Sequence, residues 1–515
     1  MNGAESLIRT LLAGGVDACF TNPGTSEMHL VAALDRAPEM RCVLGLFEGV
    51  VTGAADGYAR ITGKPACTLL HLGPGFANGL ANLHNASKAR MPMVNLIGQH
   101  PAAHLKYDAA LTSDVEGIAR PYSAWLRTSL ATAELGRDAA DAIAAAGGEP
   151  GRLATLIVPT DVAWSEGGVV APKPTIPTPP MPPAASVERA ANLLRNGART
   201  ALMMTGGALH GAGLKAAGRI TAATGAKLLA PYPFARMERG AGRVPVQRIP
   251  YVPEQAVETL KEFRQLILVG APIPVSYFAY PGKSSVLVPP DCAIHTLATP
   301  EENSAGALEA LVAALSLNEK SEVLTQEADR PAAPSGEITL LGLATAVAAA
   351  LPENAIVVDE AMTSGRGMMA ASRGAAPHDW LANTGGSIGI ALPLAVGAAV
   401  AAPSRRVLCL TADGSSMYTL QALWSMARES LDVTIVVFAN RAYGVLQWEY
   451  SGLGVGAPGP RAADLFAIGR PDIDWVLMSK SLGVPATRAT TLDMFNDLLQ
   501  RSFATAGPAL IEISL

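Results

Sequence analysis

Between Ala171 and Ala184 the chain reads APKPTIPTPPMPPA, seven prolines within fourteen residues. Proline fixes φ and removes a backbone donor, so neither a helix nor a sheet accepts such a run. It forms a stiff, extended connector that divides the 515 residues. A second boundary falls in the charged stretch NEKSEVLTQEADRPAAPSG, which ends in a Pro-rich turn. The spacing predicts units at 1–170, 186–318 and 337–515, with linkers at 171–185 and 319–336. Each unit alternates β-type runs (Cys67–Leu70, Leu266–Val269, Ile356–Val358, Thr434–Phe438) with Ala/Leu-rich helical stretches. That alternation predicts three α/β domains, each built on a parallel sheet.

Charge and cysteine usage narrow the function. A formal net charge of −5 argues against nucleic acid, because no basic face is available to replace counterions. The five cysteines, at 19, 42, 67, 292 and 409, are scattered and lack CxxC spacing. They are expected to be reduced core residues of a cytoplasmic protein, not a disulfide framework or zinc site. The N-terminal MNGAESLIRTLLAGG reads as an ordinary amphipathic helix without leader-peptide pattern. The most apolar stretch, Ile338 to Leu351, is too short to span a membrane.

In the last unit, oxygen-bearing side chains stand at strand ends. The run Val407–Leu410 leads through TADGSSMY to Asp413-Gly414. Met417, Leu420, Leu423, Trp424 and Ala427 follow at helical spacing, so one helix starting near Ser415 is expected. Asn440 comes 27 residues after Asp413, at the end of VTIVVFAN. Side chains at the C-terminal ends of adjacent parallel strands converge where open α/β sheets bind ligands. A carboxylate, an amide oxygen and a loop carbonyl suit a small hard cation, and Mg²⁺ takes phosphate oxygens as further ligands. A helix N-terminus alongside would add N–H donors to those phosphates.

Together with TNPGTSEMHL, LFEGVVTGAADGYARITGKPA, LHLGPGFANGLANLHNA, GGSIGIALPLAVGAA and PALIEISL, this pattern resembles the thiamine diphosphate enzymes. Within them it is similar to the acetolactate synthase and benzoylformate decarboxylase group, including the short acetolactate synthase large-subunit-like members of the IlvX type. The likeness spans essentially the whole chain. It implies that domain 1–170 binds the pyrimidine end of the cofactor and domain 337–515 the diphosphate end. By position, Asp413, Asn440 and the Ala442 carbonyl would hold Mg²⁺, and Gly414, Ser415, Tyr443 and Gly444 would line the diphosphate. Glu48, alone among apolar neighbours, matches the acid that pairs with the far pyrimidine nitrogen and favours the imino tautomer needed for a C2 ylid. Pro23, Gly385 and Gly386 would adjoin the cofactor, and Ile388 matches the aliphatic wedge that holds its rings in a V. Two positions depart from the pattern: Ala412 replaces a glycine, and Ala439 stands where a second Asn is frequent.

The substrate end follows from the same resemblance. His71, between ACTLL and GPGFANG, is similar to the proton-transferring His of the decarboxylases, where acetolactate synthases carry Thr or a similar residue. Thr25, with Ser26 beside it, falls where those decarboxylases place a carboxylate-binding Ser. Their second catalytic His is missing: IPVSYFAYPG offers Tyr277 and Phe278, while His100 and His104 stand in a separate loop. TGGALHGAG is too weak a glycine pattern for a nucleotide, and the Gly-Met-His-Gly stretch of flavin-containing synthases is lacking, so FAD is not expected. The chain is also read as lacking the C-terminal tail that caps the site in acyl-CoA-using relatives. The expectation is a thiamine diphosphate- and Mg²⁺-dependent enzyme, a homodimer or homotetramer, that decarboxylates a small 2-oxo acid and protonates the enamine. Two alternatives stand beside it. One is an acetolactate synthase joining two 2-oxo acids. The other is a weakly active or non-catalytic regulatory paralogue, suggested by Ala412 and the missing His.

Overall fold

The computed structural model describes residues 1–515. Six parallel strands form the first sheet: β1 Ala18–Asn22, β2 Arg41–Leu44, β3 Ala66–Leu70, β4 Met93–Gln99, β5 Trp125–Thr128 and β6 Leu153–Pro159. Their order is β2-β1-β3-β4-β6-β5. The central stretch supplies β7 Thr200–Met204, β8 Lys227–Ala230, β9 Arg236–Arg239, β10 Gln247–Arg248, β11 Gln265–Val269 and β12 Ala293–Ala298. Five of these make a parallel sheet, β10-β8-β7-β11-β12. The last strands are β13 Ala355–Glu360, β14 His378–Ala382, β15 Val407–Ala412, β16 Val433–Ala439, β17 Ala486–Ala489 and β18 Ala509–Ser514. They assemble as β17-β18-β16-β15-β13-β14-β9, so β9 from the central stretch crosses over and pairs antiparallel with β14. The fold is three α/β units with parallel-dominated sheets, as the alternating pattern implies. The β9 crossover has no counterpart in that pattern.

Strand order decides where ligands are expected. The chain reverses its direction of sheet growth between β1 and β3 in the first sheet, and between β13 and β15 in the third. Crevices at the C-terminal ends of such strand pairs are the usual binding places in open α/β sheets. Pro23–Thr25 and His71 leave β1 and β3, while Asp413 leaves β15.

The units are packed as one body. One apolar core runs from Leu202 and Ile267 in the central sheet to Val357 and Trp380 in the third. Another joins Val50, Ala54 and Leu70 of the first unit to Ile390, Leu394 and Ile435 of the third. The helices Glu48–Thr62 and Ala391–Ala401 cross at backbone contact, because a Cβ on Gly57 would strike the Leu394 carbonyl and one on Gly397 the Ala54 carbonyl. The fully buried Asp56–Arg60 pair, 2.8 Å apart, links all three units. The Arg60 guanidinium also donates to the Ala235 carbonyl at 3.0 Å and the Ala382 carbonyl at 2.6 Å. Residues 171–183 have no regular structure, and helix Ala184–Arg195 follows them. The stretch before Leu340 is an ordered strap, in which the Leu324, Gln326 and Asp329 amides donate to the carbonyls of Gly218, Arg243 and Gly374.

All five cysteines are free thiols, but Cys42 is exposed on edge strand β2, against the expectation of five core residues. No helix is long and apolar enough to cross a membrane.

Candidate functional site

At the third sheet, parallel pairing of Ala412 with Phe438 sets Asp413 and Asn440 at neighbouring strand ends. Asp413 is buried and has no ion-pair partner. Its Oδ1 accepts the Gly414 amide at 2.8 Å and its Oδ2 the Arg441 amide at 2.7 Å, so one carboxylate ties both loops. Burial raises its carboxyl above the usual aspartate range, and those two donors oppose the shift. Asn440 Oδ1 accepts the Ala442 amide at 3.1 Å. A Cβ on Gly414 would stand 2.7 Å from the Tyr443 ring, and one on Gly444 would lie 3.0 Å from Thr363 Oγ1 and 3.3 Å from Asn440 Nδ2. Asp413, Gly414, Asn440, Tyr443 and Gly444 therefore share one crevice, with Thr363 added from the loop after β13. No group of three or more His, Cys, Asp or Glu side chains gathers anywhere to hold a metal. One carboxylate, one amide oxygen and backbone carbonyls suit Mg²⁺ that completes its octahedron with phosphate oxygens. Ala412 has φ −102° and ψ 156°, an extended conformation open to any residue, so replacing glycine there strains nothing.

The long helix expected from Ser415 does not form. A four-residue turn, Asp413–Ser416, precedes a separate helix Ala422–Arg428. Between them the backbone closes i→i+3 bonds, and Thr419 Oγ1 donates to the Gly389 carbonyl at 2.6 Å. Met417 is therefore exposed and not part of a buried stripe. The Gly414 amide is already taken by Asp413 Oδ1, and so short a turn carries little macrodipole.

Gly385, Gly386 and Ile388 lie in the loop between β14 and helix Ala391–Ala401. Gly386 has φ +80°, a left-handed conformation that favours glycine. The Tyr277 hydroxyl lies where a Cβ of Gly386 would go. The loop is held by Glu360, which the sequence reading missed. This carboxylate accepts the Gly389 amide at 3.1 and 3.2 Å, the Ala391 amide at 3.1 Å and Asn383 Nδ2 at 3.0 Å. Complete burial raises its carboxyl to about 7, against the pull of those donors. Ile388 is half-buried.

At the first sheet, Glu48 opens helix Glu48–Thr62 with 8% of its surface exposed. Asn78 Nδ2 donates to its Oε2 at 3.0 Å, and no cation pairs with it. Thr25 lies exposed in the turn Thr25–Glu27, with Pro23 half-buried before it. His71 caps helix Leu72–Ala89, and its Nδ1 lies 2.7 Å from Glu27 Oε2. Glu27 is fully buried, and its other oxygen, Oε1, has no partner. Burial raises the Glu27 carboxyl, and the neighbouring His71 opposes the rise. Glycine is required on both sides, since a Cβ on Gly24 would meet the His71 ring and one on Gly98 would meet Glu27. Glu27 was also missed. Its signal was an acid at capping-box spacing from Gly24 in NPGTSE, and its side chain closes the box on the Gly24 amide at 2.9 Å. His100 leaves β4 with its Nε2 buried and unpartnered, its ring centroid 5.2 Å from that of His104.

The chain does not bring all these residues together. The Gly385–Ser387 loop meets the first unit: His84 Nε2 lies 3.1 Å from the Gly385 carbonyl, and Asn85 Nδ2 donates to the Ser387 carbonyl at 2.8 Å. Glu48 and His71 make their polar contacts inside the first unit, and Asp413 and Asn440 make theirs inside the third.

Residues 1–118 match the family model for the N-terminal TPP-binding domain of thiamine pyrophosphate enzymes, and residues 363–513 match that for the C-terminal TPP-binding domain. A Mycobacterium tuberculosis protein assigned as an acetolactate synthase large subunit, IlvX, is 51% identical over 100% of this chain and 99% of its own length. The benzoylformate decarboxylase of Pseudomonas aeruginosa is 27% identical over 97% of this chain and 96% of its own. Among solved structures, the thiamine diphosphate-dependent 4-hydroxybenzoylformate decarboxylase of Rhodococcus jostii superposes with a TM-score of 0.85. That match covers 99% of this chain and 98% of the other at 22% identity, a likeness of fold.

Proposed function

This chain belongs to the thiamine pyrophosphate enzymes, within the acetolactate synthase and benzoylformate decarboxylase group, and from that premise we propose that it is a Mg²⁺-dependent 2-oxo acid decarboxylase. Thiamine diphosphate, when bound, supplies the electron sink that lets a 2-oxo acid lose CO₂. The protein's own residues then have separable tasks. Asp413, Asn440 and the Ala442 carbonyl would hold Mg²⁺, a donor set that fits a cation shared with a diphosphate. Gly414, Ser415, Tyr443 and Gly444 would line that diphosphate. Glu48 would share a proton with the far pyrimidine nitrogen. Pro23, Gly385 and Gly386 would leave room for the ring, and Ile388 would support the bent cofactor. Thr25 would hold the substrate carboxylate through its hydroxyl.

The observation that carries decarboxylation is the Glu27–His71 pair. A buried carboxylate 2.7 Å from Nδ1 orients the imidazole, whose ring lies against Gly24, and leaves Nε2 to deliver or remove a proton. Aldehyde formation needs a proton delivered to carbon, a step that joining two 2-oxo acids replaces with a carbon–carbon bond. A synthase reading is favoured by the 51% identity to a protein assigned as an acetolactate synthase large subunit. Because Glu48 and Asp413 have no polar link within one chain, the complete site would be shared between subunits of a homodimer or homotetramer. The test is to supply pyruvate, 2-oxobutyrate and benzoylformate with cofactor and Mg²⁺ and to identify the products by mass. Aldehyde as the main product is expected. A 2-hydroxy-3-oxo acid from pyruvate would favour the synthase, and no CO₂ from any 2-oxo acid would overturn both.

A further inference from the structure

The helix Leu72–Ala89 carries Asn78, Asn82 and Asn85 at spacings of four and three, which puts them on one face. Asn78, at the exposed end, holds Glu48. Asn82 and Asn85 are buried, at 2% and 0% exposure. Burying an amide is unfavourable unless its hydrogen bonds are met, so two adjacent buried amides need partners, and they have them. Asn82 Nδ2 donates to the Gly49 carbonyl at 2.8 Å, in the first turn of the Glu48 helix. Asn85 Nδ2 donates to Asn82 Oδ1 at 3.0 Å and to the Ser387 carbonyl at 2.8 Å. The Ser387 amide donates back to Asn85 Oδ1 at 3.2 Å. The Ser387 carbonyl also accepts from Asn383 Nδ2 at 2.9 Å, and Asn383 in turn binds Glu360.

A continuous hydrogen-bonded line thus runs from the start of the Glu48 helix, through two buried side chains, to the loop that presents Ile388. We propose that Asn82 and Asn85 are positioning residues that lock Glu48 and the Gly385–Ile388 loop into one rigid unit. The inference rests on reading Glu48 and Ile388 as cofactor-contacting residues, which, in a site shared between subunits, serve two neighbouring sites from one chain. Apolar residues would pack two helices as well, but they would not set the register between a helix start and a loop. Asn85 spends one N–H on Asn82 and meets Ser387 with the other N–H and its oxygen, a two-bond clasp that fixes that register. Displacing the line at Asn82 must therefore loosen Ser387, which Asn82 does not touch.

The test uses Asn82→Leu in the full-length enzyme, with amide hydrogen exchange read at Ser387 before cofactor is added. Losing the two buried hydrogen bonds that Asn82 makes in the line should speed exchange there by about tenfold or more, while Val436 in the core of β16 stays unchanged. With cofactor and Mg²⁺, turnover should fall with KM for the 2-oxo acid held near its wild-type value. Asn85→Asp, which keeps the shape but loses the donors, serves if the first variant does not fold. Unchanged exchange at Ser387 in a folded variant would overturn the proposal, as would equal acceleration at Val436. Failure of the wild type to bind thiamine diphosphate would sink the cofactor reading and leave the exchange result standing.

Discussion

Glu48, at the start of a helix, and Glu360, at the end of β13, are both buried carboxylates, yet their settings differ. Glu48 has one side-chain donor, Asn78, and a free oxygen edge. Glu360 is enclosed by amides of the loop it holds. The first arrangement leaves a carboxyl able to share a proton with a ligand, and the second does not. Glu48→Gln keeps the shape and removes that proton exchange. Turnover should fall roughly 10²–10⁴-fold, the usual loss for a positioned acid–base group. Cofactor affinity should change little, since Asp413 and Asn440 are untouched; fluorescence titration and steady-state rates check the split. Glu360 makes a separate prediction. Its carboxyl rises from an ordinary 4.5 to about 7 on burial, so the folded protein binds more protons than the unfolded chain between those values. That share of stability is complete below the lower value and is lost as pH rises through the upper one. Glu360→Gln should therefore flatten the fall in denaturation midpoint between about pH 5 and pH 8. Equal slopes in both proteins would contradict it.

Helices Glu48–Thr62 and Ala391–Ala401 meet through Gly53, Gly57 and Gly397, and the atoms a new Cβ would strike at Gly57 and Gly397 are backbone. Backbone in a packed helix pair cannot rotate away as a side-chain tip can. Gly397→Ala should thus separate the helices and destabilise the protein by about 1–3 kcal/mol, as overpacked cores do. Chemical denaturation of variant and wild type measures this, and an unchanged midpoint would show that the helices can slide. The same pair joins the Glu48 start to the loop of Ile388, so the variant should also weaken cofactor binding. The broken helix after Asp413 has the opposite logic: its middle gives up helical bonds so that Thr419 can fasten the Gly389 turn.

On the scale of the molecule, the three units share cores and the buried Arg60 pin, but Glu48 and Asp413 are not linked by polar contacts within the chain. A site completed across a symmetric interface can be rebuilt from two damaged chains. Mixing Glu48→Gln with Asp413→Ala under subunit exchange should restore about a quarter of wild-type activity, because half of the dimers are hybrids with one intact site. Each variant alone should be far below that. No recovery in hybrids confirmed by mass spectrometry would place both residues in one chain's site.

Local patterns account for what the sequence determined. Parallel α/β architecture followed from alternating runs, and the strand-end positions of Asp413 and Asn440 followed from each residue's own strand. His71 and Glu48 stood out because a polar residue at the end of an apolar run is visible in isolation. What tertiary structure decided is who meets whom. Glu27 binds His71 over 44 positions, Glu360 holds Gly389 over 29, and Asn85 reaches Ser387 over 302. Such partnerships depend on which strand lies beside which, and no spacing along the chain encodes that. The β9 crossover is the same case: RMER, four residues with three charges, reads as a loop until β14 offers it an edge and Asp379 receives Arg236 at 2.8 Å. Hydrophobic period is written locally, and a buried polar group declares its partner only after the sheets have closed around it.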